Sequence, residues 1–161
     1  LRDWNDYKRG TTVSVTMVEG GSATNVIPAK TVGHVDTRAL TVSDWQETYD
    51  RIMALEPIMP GAKVKVSFVN GHKPMEHDAQ MIRSFAQCKR IGEAYGLTIR
   101  EDGSGGASDG NTVAAMGIPV LDGLGPQGDG LHALHEHVVL NSMPRRATLL
   151  AAMLKEWQFD V

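Results

Sequence analysis

Three histidines and a glutamate fall within six residues, as His132, His135, Glu136 and His137, in a chain with six histidines in all. Neutral imidazole is a preferred zinc ligand, so metal binding is the first chemistry this cluster suggests. The spacing argues against a self-contained site. HExxH is absent, and His132-x-x-x-Glu136-His137 is one residue too long for HxxEH. At most one or two of these side chains would then be ligands, with the others arriving from elsewhere in the chain or from another chain. For each of them a surface or hydrogen-bonded role stands beside the ligand role.

Nine of the seventeen glycines lie between residues 103 and 130, interleaved with Ser108, Asp109, Asp122 and Asp129. Glycine loses more chain entropy on folding than other residues, so such density belongs where a backbone turns sharply or approaches a ligand. The first loop, GSGGASDG at 103–110, leads into a predicted helix whose free N–H groups would favour a carboxylate or phosphate. The same residues also build plain turns and N-caps, and both readings stay open. The second loop, GLGPQGDGLHALHEH, ends in the histidine cluster. His34, His72 and His77 are isolated and read as ordinary histidines, Cys88 as a small core residue, and Arg145 and Arg146 as solvated. The chain has no phosphate-binding GxxxxGK[ST], and no GxGxxG that both follows a strand and has an acidic residue about 20 positions further on.

The elements that must position these residues can be read from periodicity. Residues 11–18 alternate Val13, Val15 and Met17 with Thr12, Ser14 and Thr16, which predicts a strand with one buried face. KTVGHVDT at 30–37 reads as a second strand, and 62–68, alternating Val64, Val66 and Phe68 with Lys63, Lys65 and Ser67, as a third. Between the last two, a capping box at Ser43 and Gln46 opens a helix with Trp45, Tyr49, Ile52 and Met53 on one face. Beyond Gly71 and Pro74 the pattern becomes helix 76–95, strand 97–100, helix 109–116, strand 117–123 and a closing helix. That last helix is capped by Asn141 or Ser142 and striped with Leu150, Met153, Leu154 and Trp157. The order predicts an α/β (α+β) chain in two parts, 1–73 and 74–161.

Composition narrows the function classes. Apolar residues make up 42% and charged residues 22%, as in a folded globular chain. Sixteen Lys and Arg against nineteen Asp and Glu give a net charge of −3 with no basic run, which disfavours nucleic acid. No apolar stretch approaches the roughly 18 residues that cross a bilayer, so no membrane partner is expected. The single Cys88 excludes an internal disulfide framework and a multi-cysteine zinc site.

SGGASDGNTVAAMGIPVLDGLGP, continuing through GDGLHALHE to Pro144-Arg145-Arg146, resembles the C-terminal part of the zinc aminoacylase and carboxypeptidase family. That family includes glutamate carboxypeptidase, succinyl-diaminopimelate desuccinylase and acetylornithine deacetylase. SATNVIPAKTVGHVDTR at 22–38 resembles the Asn-x-Ile-Pro and Asp-x-Arg segment of the family's smaller lid domain. The resemblance implies most of a ferredoxin-like lid or dimerisation domain over 1–73, followed by the last part of a two-zinc catalytic domain. Carried over residue by residue, His132 matches the last zinc ligand and Glu136 an acidic residue with a supporting role. Gly105 and Gly106 match a loop that approaches substrate. Asn25 matches a polar residue reaching the reacting carbonyl across a dimer interface, and Arg38 an arginine near the substrate carboxylate.

The motifs that supply the family's general-base Glu, bridging Asp and remaining ligands do not occur here, and His34 lies in the wrong place for the lid's active-site histidine. The resemblance thus implies a C-terminal fragment of a two-zinc, homodimeric enzyme. Its substrate would be a small peptide or an N-acyl amino acid, and the fragment alone would be inactive. The alternative is a non-catalytic dimerisation or ligand-binding module in which His132 binds nothing.

Overall fold

The computed structural model describes residues 2–159 and divides the chain into two units, Leu1–Glu76 with Gly105–Ala107, and His77–Ser104 with Ser108–Val161. Together they make a mixed α and β chain with small antiparallel sheets, compatible with the α+β class. Among the described residues no helix is long and apolar enough to cross a membrane.

In the first unit the β-branched run forms β1 (Thr12–Gly20), which pairs antiparallel with β2 (Thr31–Arg38) from Thr12↔Arg38 to Gly20↔Thr31. A bulge between Val15 and Met17 breaks the register, so the alternation read from sequence does not build one buried face. Val13 is buried, whereas Val15 and Met17 are about half exposed. The turn before β1 is tied by paired main-chain bonds between Asp6 and Thr11, by Asp6 Oδ1 accepting from the N–H groups of Lys8 and Arg9, and by Asn5 Oδ1 accepting from Val13 N.

Helix α1 (Val42–Met53) starts two residues earlier than the expected box at Ser43: Thr41 is its N-cap, accepting from Asp44 N at 3.1 Å, while the Ser43 hydroxyl bonds Thr41. The buried Asp44 carboxylate is paired with Arg9. Trp45 and Tyr49 stack at 5.3 Å, and Phe68 meets both edge-on. The expected strand at 62–68 does not form. A strand exists through its neighbour, and this segment spends its aromatic side chain on α1 with no described strand beside it.

The second unit is built on helices. Asp78 caps α2 (Ala79–Ala94) through the N–H groups of Gln80 and Met81, and the buried residues Met81, Cys88, Ile91 and Gly92 form its inner face. Helix α4 (Ser142–Glu156) answers with Leu149 and Ala152, not with Leu150 and Leu154, which are exposed. Of the predicted stripe, Met153 and Trp157 are half-buried, and the Met153 sulfur lies 3.6 Å from the Cys88 thiol. Gly92 is required there: a Cβ would lie 2.6 Å from Ile99 and 3.2 Å from Leu149. Gln87 exchanges two hydrogen bonds with the main chain of Gln158, and Tyr95 reaches Glu156 at 2.5 Å.

Helix α3 (Asp109–Ala114) follows the first glycine loop, and a ribbon of β3 (Gly128–Asp129) and β4 (His137–Val138) precedes α4. The expected strands at 97–100 and 117–123 are absent. Ile99 instead packs against Gly92, and Val120 N, which a sheet neighbour would have taken, points to the Met81 sulfur at 3.2 Å.

Candidate functional site

In the second unit His132, His135 and Glu136 sit on a seven-residue loop, 130–136, closed by the β3–β4 pairs Gly128↔Val138 and Asp129↔His137, so that His137 opens β4. The base of this hairpin is fastened to the start of α4. The buried Ser142 hydroxyl accepts from Gln127 N at 2.9 Å and donates to the Val139 carbonyl at 2.6 Å. Two successive turns carry the loop, with Ala133 N on Gly130 O at 2.8 Å and Glu136 N on Ala133 O at 3.0 Å.

Gly130 has φ +74°, and a Cβ there would come within 2.7 Å of the His135 ring, so glycine is needed for the fold of the loop. His132 has φ +63° and, among the described residues, is the one non-glycine in the left-handed region. The turns bring the Glu136 carboxylate back to its main chain, where Oε2 accepts from His132 N at 3.2 Å. His137 Nδ1 lies 3.0 Å from the His135 carbonyl, which can only accept, so that contact places the proton on Nδ1.

The His132 imidazole is the right type of donor for zinc. Among the described residues, however, no three His, Cys, Asp or Glu side chains converge in a way that could hold a metal. The described residues therefore offer a suitable single ligand, not a whole zinc site.

Also in the second unit, Ser108 Oγ donates to Asp122 Oδ2 at 2.8 Å and accepts from Gly110 N at 3.0 Å, while Asn111 Oδ1 accepts from Ser108 N at 2.9 Å. This capping box already satisfies the start of α3, a helix of only six residues, and the anion-binding role considered for it gains no support. Sequence reading misses the Ser108–Asp122 link. Ser108 is recognisable as a cap, but nothing local marks Asp122 as its partner.

In the first unit Arg38, at the end of β2, donates from Nε to Asp36 Oδ2 and from Nη1 to the Gly105 carbonyl, both at 3.0 Å. The structure thus brings together two of the site residues expected from sequence. A Cβ on Gly105 would sit 3.4 Å from the Arg38 side chain, in ordinary contact, so the glycine is not forced by that neighbour. Gly106 follows in the same exposed loop. Asn25 is exposed in the 21–30 connection beyond the Gly20↔Thr31 pair, whereas Arg38 pairs with Thr12 at the other end of the ribbon. Seven steps of strand separate the two ends, about 23 Å at ~3.3 Å per residue. The ribbon does not bring Asn25 and Arg38 together.

Two further side chains are set by their surroundings. Burial pushes the Cys88 thiol up from its ordinary value, with Arg146 pulling it partly back, so this cysteine is a poor thiolate nucleophile. The hydrogen bond with Glu156 raises Tyr95.

Comparison with known proteins gives these pieces a context. The chain is 27% identical to carboxypeptidase G2 of Pseudomonas sp. (strain RS-16) over 148 residues, covering 88% of this chain and 35% of that protein. It is 26% identical to succinyl-diaminopimelate desuccinylase of Marinobacter nauticus, covering 94% of this chain and 40% of the relative. The desuccinylase of Paracidovorax citrulli is 28% identical, with 84% and 34% covered. The chain therefore spans well under half the length of these relatives. The model of the peptidase family M20/M25/M40 matches residues 5–156, nearly the whole chain, and the chain belongs to that family.

Proposed function

We propose that this chain is the C-terminal portion of a zinc-dependent metallopeptidase or amidohydrolase, one that hydrolyses the amide bond of a peptide or N-acyl amino acid bearing a carboxylate, as a glutamate carboxypeptidase does. Family membership supports the peptidase or amidohydrolase class. The observation that carries the finer reading is Arg38. Its guanidinium is oriented by Asp36 and the Gly105 carbonyl through Nε and one Nη, which fixes the plane of a fork suited to a substrate carboxylate. The relatives named carboxypeptidase and desuccinylase suggest substrates that carry such a group.

In this reading residues 1–73 are most of a lid domain that also mediates homodimerisation, and 74–161 complete a catalytic domain. His132 contributes one zinc ligand, and Gly105 and Gly106 border the substrate. The general base and the remaining ligands of two zinc ions lie in polypeptide outside this chain. Zinc would polarise the scissile carbonyl and activate water in the complete enzyme. Asn25, about a ribbon's length from Arg38, serves the site of the other copy in the dimer.

The test is to assay the 161-residue chain and the complete polypeptide side by side for amide hydrolysis with added Zn²⁺, with equilibrium dialysis for bound metal. The chain alone should show no turnover, because a catalytic zinc needs about three protein ligands. Robust turnover by the isolated chain would overturn the reading.

A further inference from the structure

We propose that Glu136 is a positioning residue: its carboxylate, by holding the His132 main-chain N–H, keeps His132 in the left-handed conformation that sets where the imidazole points. Two observations meet here. Left-handed backbone disfavours a side chain with a Cβ and persists only where the surroundings over-determine it, yet His132 adopts φ +63° on an exposed loop with no core around it. The group that meets its N–H is the Glu136 carboxylate, at 3.2 Å.

The loop is built to deliver that carboxylate. Gly130, itself left-handed, allows the His135 ring to lie against its α-carbon, and the stacked turns 130–133 and 133–136 reverse the chain so that Glu136 returns to His132. The two turns account for the spacing of His132-x-x-x-Glu136, which thus has a mechanical reason unrelated to both residues binding one ion. A carboxylate oxygen is a strong acceptor for a main-chain N–H. Because the pair is exposed, the hold is worth the lower part of the range for charged hydrogen bonds, a population ratio of about tenfold. That suffices to choose between loop conformers.

The purpose of this device rests on the reading of His132 as a zinc ligand, but its test reads the backbone alone. In the 161-residue chain, amide hydrogen exchange at His132 and its HN–Hα coupling constant report the hold. Glu136→Ala should speed exchange at His132 about tenfold and shift the coupling away from its left-handed value, while the amides of α2 and α4 keep their protection. Glu136→Gln retains a carbonyl acceptor and should restore most of the effect, a rescue that generic loss of loop stability would not produce. His132→Gly removes the backbone penalty and leaves the left-handed form dominant, so adding Glu136→Ala to it should shift the φ population much less than in the parent. Unchanged exchange and coupling in Glu136→Ala, or an equal φ shift when Glu136→Ala is made in the His132→Gly background, would overturn the proposal. Zinc measurements on His132→Ala address the ligand reading separately, so either idea can fail without the other.

Discussion

In the second unit, α2 and α4 close on each other, with Cys88 1% and Leu149 0% exposed at their contact. In the first unit, the β1–β2 ribbon buries Val13 but leaves Val15 49% and Met17 52% exposed. The two units hold similar kinds of apolar residue and differ in what each element needs from its surroundings. A helix satisfies its own backbone and asks only for one apolar stripe to be covered, which a second helix can do. A two-stranded ribbon needs a layer over its face and neighbours at its edges, and is marginal with neither. The helical unit therefore carries its own stability, whereas the ribbon depends on α1 and on whatever else covers it. The chemistry follows the same division in the proposed enzyme: the imidazole sits on a hairpin fastened to α4, and the recognition arginine sits at the end of the ribbon.

Loss of the imidazole should have the most drastic consequence. In the complete enzyme, His132→Ala should abolish one zinc ligand and lower activity on the order of a thousandfold or more, since metal contributes several kcal/mol of transition-state stabilisation. His135→Ala and His137→Ala should lower neither zinc content nor activity comparably. Metal analysis and kinetics on the three variants decide it, and equal zinc loss in His137→Ala would show that the wrong histidine had been assigned.

Next comes stability. Leu149→Ala opens a cavity at the centre of the α2–α4 contact and should cost about 2–5 kcal/mol in urea unfolding followed by helical ellipticity. Val15→Ala removes a half-exposed side chain from the ribbon and should cost under about 1 kcal/mol. If Val15→Ala proved as costly as Leu149→Ala, the ribbon would have a cover that the single chain does not reveal, and the contrast between the units would narrow.

A more modest change probes recognition in the first unit. Arg38→Lys keeps the charge but loses the planar fork and the simultaneous bonds to Asp36 and Gly105. In the complete enzyme KM for a carboxylate-bearing substrate should rise about tenfold, the worth of a charge-assisted hydrogen bond, with kcat changed less. Unchanged constants would remove Arg38 from the site.

What is legible in the sequence divides along the same line. Helices α2, α3 and α4 and strands β1 and β2 follow from local periodicity and caps, and each forms close to where its residues place it. The segments 62–68, 97–100 and 117–123 alternate or cluster apolar residues as strands do, yet none becomes one, because pairing is a property of two segments and no window of one can supply it. The N-cap of α1 falls at Thr41 because two hydroxyl residues lie within reach and only the bond to Asp44 N distinguishes them. In the loops, the glycines announce sharp turns, and Gly130 delivers one. The links Arg38–Gly105 and Ser108–Asp122 join residues far apart in sequence, with no local sign that they meet. The left-handed His132 is invisible for a different reason: histidine has no preference for that conformation strong enough to mark it, and the cause lies four residues on in Glu136.

The subtlest consequence concerns pH and the helical unit, where Cys88 and Tyr95 both hold their protons more tightly than usual. Cys88 is raised first by burial, against a smaller opposing pull from Arg146, and Tyr95 is raised first by its hydrogen bond with Glu156. A raised value in the folded state means the folded chain holds the proton more tightly than the unfolded chain does. Each group's contribution is therefore complete below its ordinary value, 9.0 for the thiol and 10.0 for the phenol, and is lost as pH climbs through the raised one. Urea unfolding of the α2–α4 pair should be flat in this respect up to about pH 8 and weaken from about pH 9 upward, with a slope from the thiol of at most about 1.4 kcal/mol per pH unit. The readout is the difference between parent and variant. Cys88→Ala loses some packing at every pH, but its alkaline slope should be shallower than the parent's, and Tyr95→Phe should reduce the slope only above about pH 10. A parent and a Cys88→Ala variant with identical slopes would mean that the thiol ionises as easily in the folded helix pair as outside it, and that its buried contact with the Met153 sulfur opens more readily than the tight α2–α4 packing implies.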